Sequence, residues 1–172
     1  MSKPLLLAAL LLCTSLPVLQ ANATEKLPAS VQAGQHRLIL NGSGVRTKTL
    51  LELYTAGLYL LKPSNDATAV IDANEPMALR IKITSSFVSK SSLIESLEEG
   101  FKKSMGGDTR EIRKEIDQFR ELFKAEITKG DVIDMVYLPE HGVIVNKNGK
   151  LIGAVAGQKF KRALFSIWLS EN

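Results

Sequence analysis

The spacing of apolar residues predicts strands and helices in separate stretches of the chain. Apolar and cationic residues alternate over residues 79–83, which indicates a strand with one buried face. Residues 93–101 instead have apolar side chains at helical spacing. Ser89 and Ser92 suit the start of this helix, and Gly106-Gly107 suits its end.

The remaining elements continue this separation of strands and helices. Asp108 to Glu111 has the spacing of a capping box and opens a second helix, and Asn148-Gly149 is typical of a two-residue hairpin turn. In chain order, the pattern predicts strands at 36–40, 49–61 and 79–83, helical turns at 66–73, the two helices, strands at 132–138, 143–146 and 150–155, and a helix at 157–169. Because the helices are segregated from a mostly antiparallel sheet, this order predicts an α+β fold in one domain.

The first 23 residues have the pattern of an export signal. An apolar run at 5–12 is followed by Ala21-Asn22-Ala23, which has the small-x-small form of a signal-peptidase site. We therefore predict a signal peptide at residues 1–23, cleaved after Ala23, a mature domain at residues 24–172, and a periplasmic or secreted location. The apolar run is too short to span a bilayer, and no integral membrane segment is predicted in the mature chain.

Composition and spacing exclude several function classes. The formal net charge is +4, but the lysines are spread along the chain without interleaved aromatics, so no nucleic-acid partner is predicted. His36 and His141 are far apart and lack acidic partners at metal-ligand spacing, so no metal site is predicted. The chain has no Gly-x-Ser-x-Gly elbow and no phosphate-binding loop, and neither a catalytic residue nor a cofactor is predicted.

One arginine stands beside a long, almost uncharged segment. Arg46 follows Gly42-Ser-Gly44, which predicts a turn, and precedes the second predicted strand. Its guanidinium is always protonated and presents a planar fork of donors that matches a carboxylate or enolate oxygen. On composition alone, however, an arginine after a turn is more often a surface residue, and Tyr54, Thr55 and Tyr59 are more often sheet-packing residues.

Three motifs occur in an order that points to a known family. They are Gly44-Val-Arg46, the strand end Tyr-Thr-Ala-Gly-Leu-Tyr-Leu at 54–60, and Ala-Leu-Phe-Ser-Ile-Trp-Leu at 163–169. Together they resemble the chalcone isomerase-like family, in particular its bacterial, exported members. The resemblance implies an open-faced β-sandwich, in which a large antiparallel sheet is covered by a layer of helices and a cleft between them holds a lipophilic ligand.

The resemblance also implies roles for single residues. Arg46 matches the family arginine that holds an anionic oxygen, and Thr55 is the counterpart of a threonine in the enzyme site. The plant enzymes, which cyclise chalcones, also use a tyrosine and an asparagine on the first helix after the third strand. The equivalent positions here, near Leu93 and Gly100, have no hydrogen-bonding side chain. Because such a donor is commonly worth about two orders of magnitude in rate, the resemblance favours binding over catalysis.

We therefore expect an exported, non-catalytic binding protein for a lipophilic carboxylate such as a fatty acid. Strand alternation puts Tyr59 on the face of Thr55 and Tyr54 on the other, which favours Tyr59 if Thr55 faces the cleft. Arg46 is expected to anchor the head group and other side chains to add hydrogen bonds or line the tail. The candidate ligand-binding residues are Arg46, Thr55, Tyr59, Tyr54, Leu97 and Phe101.

Two alternatives stay open at this point. An isomerase or intramolecular lyase of the chalcone isomerase type, acting on an enone or phenolic substrate, needs a hydroxyl opposite Arg46, for which Tyr137 or Tyr59 is available. An interaction module that has lost its cleft would have Arg46 paired with an internal acid. The sequence leaves the oligomeric state and the identity of the small lipophilic anion open.

Overall fold

Seven strands form one sheet in the order β1 to β7, and every pair of neighbouring strands is antiparallel. The protein is described by a computed structural model over residues 27–170, and the predicted signal peptide at 1–23 lies outside the described residues. The elements are β1 (Ser30–Ala33), β2 (His36–Lys48), β3 (Leu51–Leu60), α1 (Ala67–Asp72), β4 (Met77–Ile83), α2 (Lys90–Ser104), α3 (Arg113–Glu121), β5 (Val132–Leu138), β6 (Gly142–Lys147), β7 (Lys150–Val155) and α4 (Gln158–Leu169). The predicted α+β fold, an open-faced sheet with a helical layer, is confirmed.

Local sequence signals account for the helices. Ser89 begins α2 with a reciprocal pair of bonds, in which its Oγ accepts from the Ser92 N–H and the Ser92 Oγ accepts from the Ser89 N–H. The capping box predicted at Asp108 is wrong, because its carboxylate binds the backbone and guanidinium of Arg110 and a short 3-10 turn, Arg110–Ile112, precedes α3. Among the helices of residues 27–170, none combines the length and apolar character needed to cross a membrane.

The sheet has a core on each of its two faces. The helices pack on one of them, the helix face, against a main core that includes Leu58, Leu79 and Met135. The opposite face is called the outer face. The sheet curls so that β1 contacts β5, which encloses a smaller core on the outer face. Its buried members are Ala33, Leu38, Tyr59, Ala78 and Val136.

The second strand is longer than the sequence predicted. A turn was expected at Gly42-Ser-Gly44, but β2 continues through these residues to Lys48, and the chain turns at Thr49 and Leu50. Pairing with β3 satisfies the backbone groups that a turn would otherwise have satisfied, and Thr49 takes a left-handed φ of 60°. Arg46 therefore lies within a strand and does not close a turn. Similarly, β1 forms in a segment for which the sequence predicted no strand, because it pairs with β2.

Candidate functional site

A β-bulge in β2 sets the direction of the side chains that follow it. Leu40 lies opposite Tyr59 and Gly42 lies opposite Leu58, so Asn41 is an extra residue without a partner on β3. Before the bulge, Leu40 packs with Tyr59 on the outer face. After the bulge the alternation is reversed, so that the even-numbered residues of β2 lie on the helix face.

Ser64, in the segment after β3, holds Asn41 in the bulge. The Asn41 Nδ2 donates to the Ser64 carbonyl at 2.9 Å, and the Asn41 Oδ1 accepts from the Ser64 N–H at 2.8 Å. Two bonds of opposite direction to one residue's backbone fix the asparagine side chain and the extra residue together. Asn41 is therefore a positioning residue for the second half of β2, a role that sequence reasoning did not assign.

Arg46 lies on the helix face because of this bulge. It is directly opposite Tyr54 of β3, and directly opposite residues project from the same face of an antiparallel pair. Tyr54 packs against the main core, and its hydroxyl accepts a hydrogen bond from Trp168 Nε1 of α4 at 3.2 Å. Arg46 is exposed, and within residues 27–170 its guanidinium has no hydrogen-bond or ion-pair partner. The structure thus places Arg46 on the same face as Tyr54, a predicted site residue, and adds Trp168 as a hydrogen-bond donor to it that sequence reasoning did not assign.

A strip without side chains runs along β2 beside Arg46. Gly42 and Gly44 are the helix-face residues between the bulge and Arg46. A Cβ added at either glycine would meet no atom of the described residues within 4 Å, so this part of the helix face is uncovered. Opposite them on β3 lie Ala56, which is half-buried, and Leu58, which is buried in the main core. These four residues form an open apolar strip of the sheet, called the glycine groove, with a cation at one end.

Thr55 and Tyr59 lie on the outer face, away from Arg46. They share a face, as predicted, but it is the face turned away from the helices, whereas Tyr54 shares the helix face with Arg46. The Tyr59 hydroxyl is buried and donates to the Pro28 carbonyl at 3.0 Å, and burial raises the pKa of Tyr59. The expectation that Thr55 and Tyr59 join Arg46 in one cleft is not met, because the bulge turns Arg46 to the other face.

Leu97 and Phe101 of α2 point toward the helix face of the sheet and are buried in the main core. Phe101 is fully buried, and the centre of its ring is 5.6 Å from that of Phe160. Behind them, a Cβ added to Gly100 would lie 2.8 Å from Ile167, so α2 and α4 are in close contact there. Together with their neighbours, these side chains fill the space between α2 and the sheet. Their contact with a ligand tail stays a prediction.

The hydroxyls named for the isomerase alternative are not beside Arg46. Tyr137 lies in the same cross-strand row as Ile39, seven residues along β2 from Arg46. At a strand rise of about 3.3 Å per residue, the separation along the strand direction alone is about 20 Å, and Tyr137 also lies three strands across the sheet. The Tyr137 hydroxyl donates to Asn74 Oδ1 at 2.5 Å, and burial raises the pKa of Tyr137. The tyrosine that the structure places opposite Arg46 is Tyr54.

Two hollows lie around the end of α3, away from Arg46. Their volumes are about 480 Å³ and about 450 Å³, and both are lined by Phe123 and Lys124. In the larger one, Lys147 is already paired with Asp131 at 2.8 Å, and Glu121 offsets the charge of Lys124, so the hollow offers no net positive charge to an anion. Over residues 27–170, no group of three or more histidine, cysteine, aspartate or glutamate side chains is placed to hold a metal ion.

Comparison with known proteins agrees with this architecture. A crystal structure of a fatty-acid binding protein from Arabidopsis thaliana is similar with a TM-score of 0.67 and 24% sequence identity, over 84% of this chain and 84% of that chain. At this identity the likeness establishes a shared fold. No curated protein sequence matches the chain. A family model described as chalcone isomerase-like matches residues 20–172. The resemblance expected from the sequence is therefore confirmed, and the chain belongs to the chalcone isomerase-like family.

Proposed function

We propose that this protein is an exported, non-catalytic binding protein for a lipophilic carboxylate of the fatty-acid type. Arg46 binds the carboxylate, and the apolar tail lies along the glycine groove. The observation that carries the proposal is an arginine with no partner among the described residues, placed at the end of an open apolar groove. The ligand class named for the Arabidopsis protein of the same fold supports it.

The hydrogen bonding around Tyr54 fits a carboxylate head group. The Tyr54 hydroxyl accepts from Trp168 Nε1, so its own proton is free to be donated to an anion. The Arg46 guanidinium, on the same face, offers a fork of charged donors to the same carboxylate. A site with these two donors, and with the other candidate hydroxyls about 20 Å away or on the other face, suits binding better than proton transfer.

Most of the affinity has to come from the tail. An ion pair with an exposed arginine is worth about 1 kcal/mol or less, which is roughly a fivefold effect on the dissociation constant. Each methylene group removed from water contributes about 0.8 kcal/mol. We therefore expect the affinity to rise with chain length until the tail extends beyond the groove, with Arg46 setting the orientation and the preference for acids.

The single tryptophan of the chain reports on this site. A fatty acid brominated on its tail should quench the fluorescence of Trp168, and Arg46→Gln should weaken its binding by roughly fivefold. Arg37→Gln is the matched control, since Arg37 lies on β2 before the bulge and binds Ser30 Oγ at 3.1 Å. The methyl ester of the same acid, which has no charge, should bind the native protein and Arg46→Gln alike. If the native protein and Arg46→Gln bind the acid with equal affinity, the proposed role of Arg46 is refuted.

A second pair of variants tests the groove. Gly44→Val adds a side chain to open space at a residue without a left-handed φ, so the fold should be kept or stabilised by up to about 1 kcal/mol. The same variant should weaken fatty-acid binding, because the valine occupies the groove. Ser43→Val is the control, since it puts the same side chain on the outer face, opposite Gly57. If Gly44→Val binds the acid as the native protein does, the tail lies elsewhere.

Export is proposed from the pattern at residues 1–23. When the full chain is expressed with its own leader in a Gram-negative bacterium, mass spectrometry of the periplasmic fraction should show a chain that begins at Thr24. A chain that keeps its first residues and stays in the cytoplasm would contradict this part of the proposal without affecting the ligand.

A further inference from the structure

Three large apolar side chains are exposed at or beside the β2–β3 turn, which follows Arg46. Leu50 is 94% exposed and Leu51 is 47% exposed, both at the turn between β2 and β3. Phe87, in the connection between β4 and α2, is 71% exposed. Apolar side chains of this size are seldom displayed together without a function.

Hydrogen bonds attach the connection that carries Phe87 to the base of the β2–β3 hairpin. The Thr84 N–H donates to the Leu53 carbonyl at 3.0 Å, and the Thr84 hydroxyl donates to the Glu52 carbonyl at 3.3 Å. The connection therefore leaves β4 alongside the hairpin, and Phe87 follows three residues later. The hairpin turn and Phe87 project from the same end of the sheet and are called the apolar tip, consisting of Leu50, Leu51 and Phe87.

The charges next to the apolar tip favour an anionic partner. Arg46 and Lys48 lie on β2 just before the turn, and both are exposed. Glu52 is the one acid among residues 43–53. Two cations and one acid give this end of the hairpin a positive balance beside its apolar side chains, a combination typical of surfaces that enter the headgroup region of a bilayer.

We propose that the apolar tip docks on an anionic lipid bilayer and brings Arg46 to the membrane surface, where the ligand is collected. This inference rests on the proposed function, since a fatty acid partitions into lipid and has to be taken from it. A second copy of the chain is a weaker candidate, because a stable dimer needs about 800 Å² from each partner and three projecting side chains offer much less. Shallow insertion into a bilayer needs only a few apolar side chains with cations beside them.

Flotation with vesicles tests the docking in the absence of fatty acid. The native protein should float with vesicles of equal parts phosphatidylglycerol and phosphatidylcholine, and less with phosphatidylcholine alone. The double variant Leu50→Ser with Phe87→Ser should lower the partition coefficient by about tenfold or more. Leu151→Ser is the matched control, since Leu151 is 60% exposed on β7, outside the apolar tip. For the charge, Lys48→Gln should lower partitioning by about fivefold, and the exposed Lys150→Gln should not.

The outcomes separate this inference from the proposed function. If the double variant floats as the native protein does, or if Leu151→Ser loses as much, docking by the apolar tip is refuted. If the double variant changes only the oligomeric state in sedimentation, the tip is a contact between copies and the inference is also refuted. Trp168 quenching by brominated fatty acid in solution is measured on the same variants. If all variants keep their quenching and also float as the native protein does, the proposed function stands and docking by the apolar tip is refuted.

Discussion

Replacing Asn41 with valine should turn Arg46 away from the helices. Valine favours a regular strand and has no group that binds Ser64, so the ladder between β2 and β3 is expected to continue without the bulge. Gly42 then lies opposite Gly57, and Arg46 projects from the outer face. The prediction follows from the observed pairs, in which only Asn41 separates the two halves of β2 that have opposite alternation.

The size of the effect can be worked out from the contacts of Asn41. Two side-chain to backbone hydrogen bonds, at 2.9 and 2.8 Å, are lost in Asn41→Val. At about 1 kcal/mol each, they give a loss of about 2 kcal/mol in the free energy of unfolding. For a domain of about 150 residues, this corresponds to a fall of about 4–8 °C in the melting temperature. Fatty-acid affinity should fall as far as in Arg46→Gln, because the guanidinium no longer reaches the groove.

Deletion of Asn41 removes the bulge without changing the face from which Arg46 projects. Without residue 41, Leu40 can still face Tyr59 and Gly42 can still face Leu58 in an uninterrupted ladder, so Arg46 stays on the helix face. The deletion loses the same two bonds to Ser64 and should have a similar melting temperature to Asn41→Val. It should nevertheless keep the quenching of Trp168 by brominated fatty acid. Two variants with matched stability and different affinities would show that the face of Arg46 matters.

Two results would refute this reasoning. One is an Asn41→Val protein that is destabilised as expected and yet binds the acid like the native protein, since Arg46 would then act from either face. The other is a deletion that abolishes binding while the chain stays folded by circular dichroism. In that case the bond to Ser64, and not the alternation of β2, sets the site.

Two further predictions concern stability. Burial lowers the pKa of Lys161 to about 8. Between about pH 8 and 10 the unfolded chain therefore binds more protons than the folded one. The free energy of unfolding, measured in urea, should rise by about 2–3 kcal/mol as the pH increases over this range. Lys161→Met should lack this rise, and an equal rise in the variant would contradict the assignment. Gly142→Ala should cost about 3 kcal/mol, because φ is +76° and the new Cβ would lie 2.4 Å from the Val155 carbonyl oxygen. Gly149→Ala, with φ +75° but open space, should cost about 1–2 kcal/mol, and equal melting temperatures would refute the clash.

Elements with strong local signals could be predicted from the sequence. The hairpin turn at Asn148-Gly149 has the two left-handed residues, with φ of 53° and 75°, that this pair of residue types favours. The bounds of β5 and β7 are those predicted, and Ser89 caps α2 as expected. In each case the residues that decide the conformation are within a few positions of one another, so the pattern contains the information.

The arrangement around Arg46 could not be predicted in the same way. The bulge depends on Ser64, which is 23 residues from Asn41, and the pairing of Trp168 with Tyr54 joins residues 114 apart. The alternation rule was applied correctly within β3, where Thr55 and Tyr59 do share a face. The rule could not show whether Arg46 shares a face with Thr55 or with Tyr54. That depends on Asn41, the extra residue in β2, which puts Arg46 on the face of Tyr54.

A stretch of weak strand propensity coincides with the glycine groove. Asn41-Gly-Ser-Gly44 has low strand propensity, and each glycine in a strand costs roughly 0.5–1 kcal/mol relative to alanine. A Cβ added at Gly42 or Gly44 would meet no atom of the described chain within 4 Å, so close packing does not require glycine there. Where the local choice of residue opposes the fold and packing does not explain it, function is the better explanation. The same two glycines made the segment resemble a turn in the sequence, and under the proposed function they leave the surface beside Arg46 open for the ligand tail.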